Sequence, residues 1–156
     1  MSKISPCLWF DGAAEEAATF YVSLFADGAI GAVSRYGEGA PFPAGTAMMV
    51  AFNLAGQSFQ ALNGGPHYTL TPAISLSVSC SDQAEVDRLW DALCEGGAPS
   101  RCGWLTDRYG VSWQIVPRRL VELQRSGDPV AIGRMFGALM TMAKLDIAAL
   151  EAAYRG

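Results

Sequence analysis

Gly110-Val111-Ser112-Trp113-Gln114-Ile115-Val116 repeats the pattern of an earlier stretch, Gly56-Gln57-Ser58-Phe59-Gln60-Ala61-Leu62. Both read glycine, a variable residue, serine, an aromatic, glutamine, then two apolar residues. A second echo lies upstream of each. Ile4-Ser5-Pro6-Cys7-Leu8-Trp9-Phe10 leads into a helical pattern with Ala14-Glu15 and Phe20. Ile74-Ser75-Leu76-Ser77-Val78-Ser79-Cys80 leads into one with Ala84-Glu85 and Trp90. The chain therefore reads as two copies of one small unit. Matched positions in two copies can form a shared pocket, and Gln60 and Gln114 are such a pair.

The apolar run Ile4 to Phe10, closed by Asp11-Gly12, predicts a strand. Ala13 to Ala26 places Ala17, Phe20, Tyr21, Leu24 and Phe25 at helical spacing, with Gly28 as a stop signal. Ala29 to Tyr36 predicts another strand and Gly37 to Gly45 a loop. Thr46 to Leu54 and Gln57 to Leu62 predict a hairpin around Ala55-Gly56. The second copy repeats the plan. Ile74 to Cys80 alternates apolar residues with serine, a half-buried strand pattern. Asp82 and Glu85 resemble a capping box, and Val86, Leu89, Trp90 and Leu93 form the apolar stripe of a helix. Short strands follow near Ser100 to Leu105 and Val111 to Val116, joined by Asp107-Arg108-Tyr109-Gly110.

Strand, helix, strand, strand, strand is thus written twice. The expected fold is α+β, with two βαβββ modules at residues 1–66 and 74–117, a linker at 67–73, and one compact domain overall. Residues 118–156 form a C-terminal helical extension. Its helices are expected over Arg118 to Arg125, over Val130 to Lys144, and after Asp146 as N-cap. Its apolar residues, Met135, Phe136, Leu139, Met140 and Met142 among them, suit either packing on the chain's own sheet or a subunit interface.

Composition narrows the function. Of 156 residues, 51% are hydrophobic and 17% charged, enough to build a core and too apolar for a disordered chain. The net charge is −4 and no Lys/Arg run exists to neutralise phosphates, so no nucleic-acid partner is expected. No apolar run approaches bilayer length, so no membrane partner is expected either. Met1-Ser2-Lys3-Ile4-Ser5 lacks an apolar export core, and a cytoplasmic location is expected. Cys7, Cys80, Cys94 and Cys102 form no Cys-x-x-Cys pair, and His67 is the one histidine. Zinc spacing is absent, and reduced thiols are expected.

Asp107-Arg108-Tyr109-Gly110-Val111-Ser112-Trp113-Gln114-Ile115 resembles the Asp-x-x-Gly-x-x-apolar-x-apolar final hairpin of the vicinal-oxygen-chelate superfamily, the glyoxalase/bleomycin-resistance/dihydroxybiphenyl-dioxygenase proteins. Leu62-Asn63-Gly64-Gly65-Pro66, the run from Cys102 to Gly110, and the tail from Met140 to Ala148 resemble its PhnB-like branch. Members of that branch are often labelled 3-demethylubiquinone-9 3-methyltransferase. The resemblance implies mixed sheets curling around a cleft, a homodimer, and a divalent metal held by His, Glu or Gln from the first and last strand of each module. Position by position, the final-strand glutamate falls on Gln114 and its twin on Gln60. The first-strand ligand falls within Ile4 to Pro6, and its counterpart on Ser75 or Leu76. None of these is His, Asp or Glu, whereas a metal pocket needs anionic oxygens or imidazoles. The expectation is no bound metal and no cofactor. The methyltransferase label has no Gly-rich loop and acidic partner to support it.

The remaining candidates keep two readings each. Gln60 and Gln114 suit a ligand pocket, or amides satisfied by backbone in a closed core. Ser75, Ser77 and Ser79 suit a polar floor or a solvent face. Trp9, Trp104 and Trp113 suit a flat ligand or the core. His67 suits the pocket mouth. Cys102, beside Arg101, is a candidate nucleophile or a packed thiol. The function expected is binding of a small-molecule ligand in a metal-free pocket. The alternatives are a metal-dependent lyase, isomerase or dioxygenase with unusual ligands, and a non-catalytic protein with a filled pocket.

Overall fold

In the computed structural model, which describes residues 2–156, the chain divides into two compact units, one ending at Leu70 and one beginning at Thr71. The first holds β1 (Cys7–Phe10), α1 (Ala14–Ser23), β2 (Ala29–Arg35), β3 (Ala47–Leu54) and β4 (Gln57–Asn63). The second holds β5 (Leu76–Cys80), α2 (Gln83–Cys94), β6 (Ala98–Pro99), β7 (Trp104–Thr106) and β8 (Ser112–Pro117). It ends with α3 (Arg118–Gln124), α4 (Pro129–Leu139) and α5 (Ile147–Arg155). The strand orders, β1-β4-β3-β2 and β5-β8-β7-β6, are the same. In each sheet the first strand runs parallel to the last and the other pairs are antiparallel. The fold is α+β, built from two βαβββ modules with mixed sheets.

In the first unit α1 buries Ala14, Ala17, Ala18 and Tyr21. Three alanines bring the helix close to the sheet, where Leu8, Phe10, Val50, Phe52, Phe59 and Ala61 are buried. The Phe52 and Phe59 rings stack at 5.2 Å. The N-cap position of α1 is Ala13, which has no side chain to cap with. Asn63, at the end of β4, does it instead. Its Oδ1 accepts from the N–H groups of Gly12 (2.9 Å) and Ala14 (3.0 Å), and its Nδ2 donates to the Ala47 carbonyl at 2.8 Å. One buried amide thus ties β4 to the β1–α1 turn and to β3.

In the second unit the Asp82 side chain accepts from Glu85 N–H at 2.9 Å, and the Glu85 carboxylate accepts from Ser81 N–H at 3.1 Å. This is the capping box read from sequence, displaced by one residue at its return bond. Val86, Leu89, Trp90 and Leu93 of α2 are buried, as are Leu105, Trp113 and Ile115 of the sheet. The short strands expected near Ser100 to Leu105 are a hairpin of β6 and β7, set slightly outside those bounds. The turn between them puts Cys102 at φ 58° and Gly103 at φ 83°, backbone that no strand can hold.

The helical extension packs within its own unit. Leu120, Leu123, Met135, Leu139, Leu145 and Leu150 form one buried cluster, with Cys102 and Val116 against it. The helix expected to reach Lys144 stops at Leu139. The carbonyls of Met142 and Ala143 leave the helical ladder and accept from the N–H groups of Cys102 and Gly103. Asp146 caps α5 as expected, accepting from Ala149 N–H at 3.0 Å.

Replacing Asn63 tests the first unit. Asn63→Leu leaves two N–H groups and a carbonyl unpaired in the interior and should lower the unfolding free energy by on the order of 3 kcal/mol. Asn63→Asp keeps both acceptor bonds and should fall between the two in urea midpoint. A Leu variant as stable as the parent would show that the junction does not depend on this amide.

Candidate functional site

Strand alternation gives each sheet a helix-covered face and an open one. The open face of the first unit carries Cys7 and Trp9 of β1, Gln60 and Leu62 of β4, and Met49 and Ala51 of β3. That of the second carries Ser77 of β5, Ser112, Gln114 and Val116 of β8, and Trp104 and Thr106 of β7. The registers coincide. Gln60 lies between Cys7 and Ala51, and Gln114 lies between Ser77 and Trp104. The two glutamines are therefore the same position of the same strand in the two modules.

Around Gln114 the surroundings are built. Its Nε2 donates to Ser75 Oγ at 2.9 Å, which joins the last strand to the residue before the first. Trp104, half-buried, stands beside it on β7. Val116 packs against the C-terminal cluster, so the helical extension covers that end of the face. Trp113 does not belong to this group. It points to the opposite side of β8, is 1% exposed, and donates from Nε1 to Asp107 Oδ2 at 2.9 Å. Asp107 Oδ1 also accepts from the N–H groups of Tyr109 and Val111, so this buried carboxylate holds the final hairpin together. Trp113 is a core anchor, because a residue between Ser112 and Gln114 must face α2.

The equivalent place in the first unit is more open. Gln60 is exposed. Trp9 donates from Nε1 to the Gly65 carbonyl at 2.9 Å and meets Tyr68 edge-on at 4.9 Å. Gly64 is required by that indole, since a Cβ there would lie 2.3 Å from the ring. His67 is exposed in the segment that follows. Cys102, in the β6–β7 turn, has its Sγ 3.7 Å from Met140 Sδ. Cys80 is buried and its thiol is pushed up to about 12, chiefly by desolvation, which keeps it protonated and inert.

The donor chemistry can be set against a divalent ion. The positions that the superfamily likeness assigns to ligands hold neutral amides and a hydroxyl, which supply no charge to replace a hydration shell. Among the described residues, no three His, Cys, Asp or Glu side chains are grouped to hold a metal. These residues do not fit the superfamily's metal. A groove of about 470 Å³ elsewhere in the second unit is lined by Asp82, Gln83, Arg119, Asp146 and Glu151 among others. Its ionic groups are already engaged, Arg119 with Glu151 at 2.7 Å and both aspartates as helix caps. Among the described residues, no helix is long and apolar enough to cross a membrane.

Comparison with known proteins agrees with this architecture. The family described as 3-demethylubiquinone-9 3-methyltransferase matches residues 2–116. The match stops where β8 ends, so the tail motif from Met140 to Ala148 lies outside it. The PhnB protein from Bacillus cereus is 39% identical, over 74% of this chain and 99% of that one, with a TM-score of 0.70. A protein from Pseudomonas aeruginosa is 26% identical, over 75% and 98%, with a TM-score of 0.62. A glyoxylase/bleomycin resistance protein/dioxygenase domain from Frankia sp. EAN1pec, 14% identical over 75% and 92%, shares the fold with a TM-score of 0.50. None of the curated proteins matches. With the duplicated module, the shared register and a family match that covers both sheets, the chain belongs to the PhnB-like, 3-demethylubiquinone-9 3-methyltransferase-like family.

Proposed function

We propose that this chain binds a small organic molecule on the open sheet faces of its modules, through neutral hydrogen-bonding side chains and without a resident metal ion. The observation that carries the reading is the Gln114–Ser75 pair at 2.9 Å. It sits where the superfamily likeness expects a metal-ligand pair, and it offers an amide and a hydroxyl. Trp104 beside it supplies a flat apolar wall. Gln60 is the corresponding group in the first unit, and His67 and Tyr68 lie in the segment after its strand.

Two other readings are weaker on physical grounds. Methyl transfer from a nucleoside cofactor uses backbone N–H groups at a strand-to-helix turn. Here the N–H groups of Gly12 and Ala14, at the β1–α1 turn, are already bonded to Asn63. A lyase, isomerase or dioxygenase of the metal-dependent kind would have to coordinate its ion with uncharged groups.

Two measurements test the proposal. Protein dialysed against chelator and then against buffer should carry far less than one equivalent of Fe, Zn, Ni or Mn, and adding these ions should leave the melting temperature unchanged. Stoichiometric retention of any of them overturns the metal-free reading. Ligand-induced thermal shifts from a metabolite screen should disappear in the Gln60→Leu/Gln114→Leu double variant. Shifts that survive the double change place the binding site elsewhere.

The superfamily likeness also supports a homodimer. Phe136 and Met140, one helical turn apart at the end of α4, are 37% and 63% exposed and offer an apolar contact. Phe136→Glu with Met140→Glu should then give a monomer by light scattering, and an unchanged dimer would exclude this patch.

A further inference from the structure

Ser112 differs from every other polar residue on the open face of the second unit. It is 3% exposed, and its hydroxyl has no hydrogen-bond partner. An orphaned buried hydroxyl is uncommon and costs roughly 1–3 kcal/mol. Alternation puts it on the same face as Gln114, two residues along β8, and the register pairs it with Thr106.

The duplication supplies an internal control. Ser58 holds the matching position on β4. Its cross-strand partner is Asn53, and Ser58 Oγ donates to Asn53 Oδ1 at 2.9 Å. In the second module the partner position holds Thr106, which supplies no acceptor to Ser112. The neighbouring position changes as well, from Ala51 in the first module to Trp104 in the second. The same serine is thus satisfied in one copy and left open in the other, beside an aromatic wall. Gln114 spends its Nε2 on Ser75, and its Oε1 remains as an acceptor.

We infer that Ser112 is the hydrogen-bond donor for a carbonyl oxygen of the ligand, with Gln114 Oε1 as the matching acceptor and Trp104 as the wall for a flat ring. The inference rests on the binding reading above and names its chemical class: an uncharged aromatic or conjugated compound bearing an amide or similar carbonyl beside an N–H or O–H. The open face of this sheet contributes serine, threonine, glutamine, tryptophan and valine, and no cation. A carboxylate bound here would lose its hydration with no charge to replace it. Its diagonal neighbour Trp104 and the next residue on the same face, Gln114, are both half-buried, so binding requires one of these side chains to rotate aside for an acceptor to reach Ser112.

The test uses matched pairs of probes, benzamide against benzoate and nicotinamide against nicotinate, followed by tryptophan fluorescence and thermal shift. The neutral member of each pair should bind at least tenfold more tightly. Ser112→Ala should weaken the neutral member about five- to tenfold, one hydrogen bond's worth, while leaving the melting temperature of the free protein unchanged or raised. If Ser112→Ala binds the neutral probes as tightly as the parent while Gln114→Leu abolishes binding, the role of Ser112 is overturned and the site stands. If the carboxylates bind as well, or neither neutral probe binds, the proposed ligand class is overturned. Binding indifferent to both substitutions removes the site itself.

Discussion

The parallel pairing of the first strand of each module with its last is the constraint on which the rest depends. Parallel neighbours cannot be joined by a tight turn, so the chain must cross over between them. Here the crossover carries a helix and two further strands, and the last strand ends up in the interior of the sheet. That strand is flanked on both sides, by β1 and β3 in one unit and by β5 and β7 in the other. Whatever it displays on the open face is therefore held by two ladders. Gln60 and Gln114 occupy that protected row, and Ser75 reaches Gln114 only because β5 runs parallel to β8.

A duplicated module still has to close each copy with the residues at hand, and the two copies solve their junctions differently. In the first, Asn63 reaches from β4 to the start of a helix whose own cap position is an alanine. In the second, Asp82 caps α2 locally, and the buried polar residue is Asp107, which gathers two backbone N–H groups and the Trp113 indole. Both buried groups are fully engaged, as low-dielectric surroundings require. Stability and the proposed binding face are consequently carried by different residues, although they alternate along the same strands.

This separation explains what could be read from sequence. The alternation of Ile74 to Cys80, the apolar stripe of α2 and the glycine-serine-aromatic-glutamine echo are local patterns with a fixed period, and they located the strands, the helices and the Gln60/Gln114 equivalence. Trp113 was ambiguous because an aromatic beside a glutamine is compatible with either face until the register is known. The capping role of Asn63 is not legible locally, because its two acceptor bonds reach residues 51 and 49 positions away. The turn of the β6–β7 hairpin is not legible in the sequence, because Cys102 adopts a left-handed conformation that its side chain does not advertise. The helix end at Leu139 depends on carbonyls claimed by a distant turn, which no local propensity encodes.

The copies have also diverged in a consistent direction. At three matched positions the first module holds Cys7, Ala51 and Asn53, and the second holds Ser77, Trp104 and Thr106. The first set leaves Gln60 exposed with a small neighbour and a serine already bonded. The second surrounds Gln114 with a hydroxyl-bearing strand and an indole, and leaves Ser112 without its acceptor. The helical extension, absent from the family match, follows the second module in the chain and packs against Val116 on its open face. An unpaired buried hydroxyl and the added helices thus both fall on one copy, and that copy is where the proposed binding of a ligand has the most free energy to gain.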